Sequence, residues 1–127
     1  MAGYSGTPLP RKLGIKDDSR VLALGLPAGL DLGPVDERHD GLPYDVILIF
    51  CPDEATLRAE FPYAAGRLVR NGGLWVCWPK RSSGVPTDLS ENPIRDYGLS
   101  MGLVDNKVAA VDQTWSALRF VYRVADR

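Results

Sequence analysis

Two apolar runs, Val46-Ile47-Leu48-Ile49-Phe50-Cys51 and Leu74-Trp75-Val76-Cys77-Trp78, constrain the fold more than any other feature of the chain. Both are strand length and neither alternates with polar residues, so each predicts a strand buried on both faces, the usual state in a parallel sheet. Between them Leu57, Phe61, Ala64, Ala65, Leu68 and Val69 recur at three-to-four spacing, which predicts an amphipathic helix over residues 54–70. Asp53 is its expected N-cap, Pro62 a point of kinking, and Asn71-Gly72-Gly73 its C-cap and the turn into the second run. A crossover of this length suits two parallel strands.

The remaining elements follow from punctuation. Residues 1–19 read as an N-terminal extension: a Gly-, Ser- and Pro-rich start, a helical turn over 11–16 anchored by Leu13 and Ile15, and a turn at Asp17, Asp18 and Ser19. Residues 20–25 predict a further buried strand, 27–32 a short helix and 33–43 a loop. Ser90 caps a helix running to Met101, which Gly102 ends. Residues 103–111 and 115–124 predict strands joined by Asp112, Gln113 and Thr114 as a hairpin turn. On the last strand Trp115, Ala117, Arg119, Val121 and Arg123 share one face. This order argues one α/β domain over residues 1–127, with strand order 1-2-3-5-4 by chain position.

A length of 127 residues with 45% hydrophobic content is enough for one core, and a net charge of −1 gives no global attraction to nucleic acid or anionic membranes. No apolar run approaches the ~20 residues of a spanning helix. The start of the chain has no apolar leader, so a cytoplasmic protein is expected. Cys51 and Cys77 lack metal-ligand spacing and read as reduced core residues, though on neighbouring strands a redox contact stays open. His39, the single histidine, cannot build a histidine-rich metal site and reads as a surface residue.

From residue 12 to Gly29 the chain resembles the opening of class I methyltransferases, which bind S-adenosylmethionine (SAM) at an acidic-x-Gly-x-Gly-x-Gly loop after their first strand. The corresponding positions are Ala23, Gly25, Pro27 and Gly29. Tyr44-Asp45-Val46-Ile47-Leu48 resembles the fourth strand of those enzymes, residues 68–76 the turn and fifth strand, and residues 103–124 the closing pair. The resemblance implies a three-layer Rossmann-like domain, with an about five-stranded, mostly parallel sheet ending in an antiparallel edge hairpin. Only nineteen residues separate Gly25 from Asp45, too few for the helices and strands that the full fold places there. A reduced domain is therefore expected. Alanine at the acidic position and proline at the middle glycine disfavour SAM, and Asp36, Glu37 and Asp40 are the acids left to contact a ribose. A closer resemblance joins Gly3-Tyr4-Ser5-Gly6-Thr7-Pro8-Leu9, Trp78-Pro79-Lys80 with Ser83-Gly84, and Gly102-Leu103-Val104-Asp105 through Trp115-Ser116. These are similar to a small bacterial family of unknown function, sometimes labelled methyltransferase-like.

Ligand chemistry in open α/β sheets sits in the loops after the strands, so the stretch after Trp78 is the first candidate. Lys80 and Arg81 supply cations, Ser82, Ser83 and Thr87 hydroxyls, and Gly84 close backbone approach, which suits an anion or nucleotide; the plainer reading is a solvated loop. Asp88 reads equally as a catalytic acid or as a cap for the next helix. Trp78, at the strand end, is placed to stack on a ring, whereas Trp75 reads as core. Gly25 and Gly29 read as a cofactor loop or, with Pro27 fixing the backbone, a structural turn. Asp105 and Lys107, two apart, should share a strand face as a base and its tuner or as a solvent-facing pair. Arg11, Lys12 and Lys16 lack the interleaved aromatics that nucleic-acid binding would favour. Three functions are consistent with these residues: a binding or regulatory module on a degenerate methyltransferase-like fold, an interaction or homo-oligomeric subunit using an open sheet edge, and a small SAM- or nucleotide-binding enzyme. No metal and no membrane partner is expected.

Overall fold

The computed structural model describes residues 8–127, so Tyr4 to Thr7 of the N-terminal motif lie outside the described residues. Helix α1 (Leu9–Lys12) precedes β1 (Val21–Leu24) and β2 (Tyr44–Phe50). Helix α2 (Glu54–Ala65) leads to β3 (Leu68–Pro79), a 3₁₀ turn (Arg81–Ser83), α3 (Glu91–Ser100), β4 (Leu103–Ala110) and β5 (Trp115–Tyr122). The strands form one sheet in the order β1-β2-β3-β5-β4. Pairing is parallel for β1–β2 and β2–β3 and antiparallel for β3–β5 and β4–β5, so the sheet is mixed and not mostly parallel.

The three-layer Rossmann-like arrangement is not what forms. Helices α2 and α3 cover one face only, where Leu57, Phe61 and Ile94 pack on Ile47, Ile49, Leu74, Val76, Leu118 and Phe120. On the other face Val46, Leu48, Phe50, Trp75 and Ala117 are buried under Leu13, Leu32 and irregular chain. The physical reason lies in residues 26–44. Pro27, Pro34 and Pro43 interrupt the segment, and Gly29, Gly33 and Gly41 take left-handed φ of +84°, +81° and +91°, so the chain turns repeatedly instead of coiling. The helix expected over 27–32 is accordingly a turn, closed by the Leu30 N–H donating to the Pro27 carbonyl at 3.3 Å. Leu13 holds the opposite end of this cover. Its carbonyl accepts the indole N–H of the fully buried Trp75 at 2.9 Å.

The helix expected to reach residue 70 stops at Ala65, and Asn71-Gly72-Gly73 lies inside β3 rather than at a helix end. Register explains this. Tyr44 pairs with Leu68 but Val46 pairs with Gly73, so β3 carries surplus residues past a break in the ladder. A Cβ at Gly72 would stand 2.7 Å from the Asp45 carbonyl oxygen, and that close approach demands glycine.

The outer edge of β1 is occupied by one residue of the segment that joins β1 to β2. Asp36 donates its N–H to the Val21 carbonyl and accepts from the Ala23 N–H, each at 2.8 Å. Tyr44 fixes that residue, its hydroxyl donating to the Asp36 carboxylate at 2.6 Å while the Arg20 guanidinium lies 4.6 Å above its ring. Burial and the Asp36 bond push the Tyr44 phenol up to about 12.

Candidate functional site

The cleft at the C-terminal end of β3 is built on a register pair. Trp78 and Ser116 are directly opposite across β3 and β5, on the face that carries the helices. Beyond them the chain leaves the sheet at Lys80, whose N–H donates to the Thr114 carbonyl at 2.7 Å, and the 3₁₀ turn ends at Gly84 with φ +77°. Residues 85–89 then fold back towards the start of α3. The result is a cleft of about 680 Å³, with Lys80, Arg81, Ser82, Thr87, Ser90, Glu91 and Ser116 as its polar lining.

Its electrostatics are one-sided. Among the described residues neither Lys80 nor Arg81 forms an ion pair. The carboxylate that lines the cleft, Glu91, is bonded to Arg95, which also reaches Asp105 at 2.8 Å. Ser90 occupies the N-cap position of α3 without a side-chain capping bond, leaving its hydroxyl to the cleft. Pro93 has no N–H, so Glu91 and Asn92 present the leading amides of the helix. Thr87 accepts the Leu89 N–H at 3.1 Å, which leaves its own O–H to donate. Hydrogen-bond donors therefore predominate.

Of the residues singled out from sequence, Trp78, Lys80, Arg81, Ser82, Gly84 and Thr87 meet in this cleft. Trp78 lines the cleft but is only 7% exposed, too little to present the stacking face expected of it. Ser83 is spent on the turn: its hydroxyl donates to the Lys80 carbonyl at 2.6 Å and accepts the Val85 N–H at 3.1 Å. Asp88 does not line the cleft and does not cap the following helix. It reaches back to α2, where it accepts the Glu54 N–H at 2.8 Å beside the Asp53 cap on Thr56. Replacing Asp88 with alanine should therefore cost ~1 kcal/mol in a urea denaturation curve, the loss of one helix-start acceptor, with ligand binding in the cleft retained. Ser90, Glu91 and Ser116 were not singled out as cleft residues. The parity of the last strand carried the signal for Ser116, which precedes the helix-facing Leu118 and Phe120 at two-residue spacing.

Gly25 and Gly29 do not join this group. Two strand spacings, roughly 10 Å, separate the end of β1 from the end of β3. Gly25 takes φ +74°, and a Cβ there would meet the Phe50 carbonyl oxygen at 3.2 Å. Ala23, at the position where SAM enzymes carry an acid, is fully buried against the irregular cover. Asp36 and Asp40 are engaged by Tyr44 and Arg20, and Glu37 lines a separate pocket with Arg38, His39, Glu60 and Tyr63. The Gly25 and Gly29 turn thus lies apart from the cleft lining. No protein-family model matches the chain, and no curated protein matches it.

Asp105 and Lys107 were expected on one face, and a bulge separates them. Asp105 is paired with Phe120 but Lys107 with Arg119, so Asn106 is the extra residue and the alternation inverts. Asp105 turns to Arg95 under α3, while Lys107 donates to the Lys12 carbonyl at 3.1 Å on the opposite face.

Cys51 and Cys77 sit on neighbouring strands but belong to cores on opposite faces of the sheet, which precludes a bridge without backbone rearrangement. Burial pushes the Cys51 thiol up to about 12 and also raises the Cys77 thiol well above its ordinary value, so neither is poised as a nucleophile. Among the described residues no cluster of His, Cys, Asp and Glu has the geometry to hold a metal ion, and no helix is long and apolar enough to cross a membrane.

Proposed function

We propose that the protein is a binding or regulatory module whose cleft takes a small anionic ligand and which performs no SAM-dependent transfer. The observation that carries this reading is the convergence of Lys80 and Arg81, without carboxylate partners among the described residues, on a cleft that also receives the uncapped start of α3. Cations, free hydroxyls and leading helix amides all stabilise negative charge at one point. The lining contains no histidine or cysteine, and its carboxylate is neutralised by Arg95, so the cleft favours recognition over proton transfer.

Calorimetric titration with inorganic phosphate at low salt tests this. The double variant Lys80→Ala/Arg81→Ala should bind phosphate at this site at least about tenfold more weakly, as expected when two charge-assisted contacts are lost, and SAM should give no binding heat. Unchanged phosphate affinity in the double variant would refute the cleft. Micromolar SAM binding that Gly25→Val abolishes would instead move the enzyme reading to the front.

A further inference from the structure

The face of the sheet opposite α2 and α3 carries a second set of donors with no place in the cleft. Arg119 lies at its centre, and the strand beneath is cut to receive it. A Cβ on Gly73 would stand 2.3 Å from Nε and 2.7 Å from Cζ of Arg119, so the guanidinium occupies the space that a side chain would fill. Lys107 is its direct partner across β4 and β5. The bulge at Asn106 puts a third polar group alongside, its Oδ1 accepting from Arg119 Nη1 at 3.4 Å.

The chemistry of this set is uniform. With Oδ1 accepting from Arg119, Asn106 keeps its NH₂ as a donor. Lys107 uses one N–H on the Lys12 carbonyl and keeps two. Among the described residues no carboxylate pairs with Lys107 or Arg119. Burial and the like charge of Arg127 push the Arg119 pKa down, and no carboxylate offsets them. A fold that keeps a half-buried guanidinium against a like charge, and reserves a glycine to seat it, holds an arrangement that stability alone does not favour.

We propose that Arg119, Lys107 and Asn106 form a second oxyanion site, on the face away from the cleft, that takes a multiply charged phosphate group. A fork-shaped guanidinium beside an ammonium and an amide NH₂ matches several oxygens of one phosphate, whereas a single carboxylate would leave one cation unanswered. Among the described residues no exposed aromatic accompanies the set to stack a base: Trp75 is fully buried, and Trp115 packs edge-on against Phe50. The ligand is therefore recognised by its phosphate, whether free or carried on a larger molecule.

The test uses the full chain carrying Lys80→Ala/Arg81→Ala, so that the cleft does not contribute, and reads melting temperature against pyrophosphate, with sodium chloride at matched ionic strength as reference. Pyrophosphate should raise the melting temperature above the chloride reference. Adding Arg119→Gln should abolish that rise, and adding Gly73→Ala, which displaces the guanidinium without removing its charge, should reduce it at least fivefold in apparent affinity. Without ligand, Arg119→Gln should melt at or above its parent. A pyrophosphate response equal to that of chloride, or one that persists with Arg119→Gln, would overturn the site. So would a lower melting temperature for Arg119→Gln together with no response in its parent, which would mark the guanidinium as packing alone.

Discussion

Gly98→Ala is expected to destabilise the protein by about 2–3 kcal/mol, although the same change in an exposed helix would stabilise it by up to ~1 kcal/mol. Gly98 lies near the end of α3, and its Cα rests directly on the ring of Phe120. An added Cβ would fall 2.0 Å from Cε1 and 2.5 Å from Cζ of that ring. A flexible side-chain tip would move aside, but Phe120 is fully buried and its ring stands edge-on to Phe61 at 5.4 Å. The helix must therefore lift from the sheet or the aromatic cluster must repack. Chemical denaturation gives the sign directly. A Gly98→Ala protein as stable as its parent would mean that α3 is not seated on β5 as described.

Phe61→Ala should cost more, about 3–5 kcal/mol. Phe61 is the point where α2, α3 and the sheet meet, with Tyr97 edge-on at 5.3 Å on one side and Phe120 on the other. It is fully buried, so truncation leaves a cavity that three elements must close together. The m-value of the transition should stay that of the parent, because the native and unfolded surfaces change little. A loss below ~1 kcal/mol would show that the site collapses freely and that the aromatic cluster is not the centre of the helix-side core.

The two predictions share a physical origin that also explains what the sequence could and could not disclose. The order of the strands was legible because the runs at 46–51 and 74–78 are apolar on both sides and the final pair is joined by a three-residue turn. Trp75 was legible as core for the same reason. The layer count was not. A family resemblance suggested helices on both faces, but residues 26–44 bury one face with prolines, left-handed glycines and a single-residue bridge at Asp36, none of which has a periodic signature.

At the site, the loop after β3 was legible from its position and charge, and Lys80, Arg81 and Thr87 line the cleft beside it. What escaped it was set by non-local contact. Asp88 caps a helix that begins thirty-four residues earlier in the chain, a partnership that no local spacing encodes. The bulge at Asn106 sends Asp105 and Lys107 to opposite faces, and one extra residue in a strand leaves no mark in composition. The same bulge assembles the donors around Arg119.

Anion recognition at the cleft is tested most directly by following backbone amide resonances through a titration with inorganic phosphate at constant ionic strength. The account predicts saturable shifts at residues 80–85 and 87 and at the start of α3, Glu91 and Asn92, coming into play together with one dissociation constant. Absence of saturable shifts at those amides, whatever happens elsewhere on the protein, would contradict it.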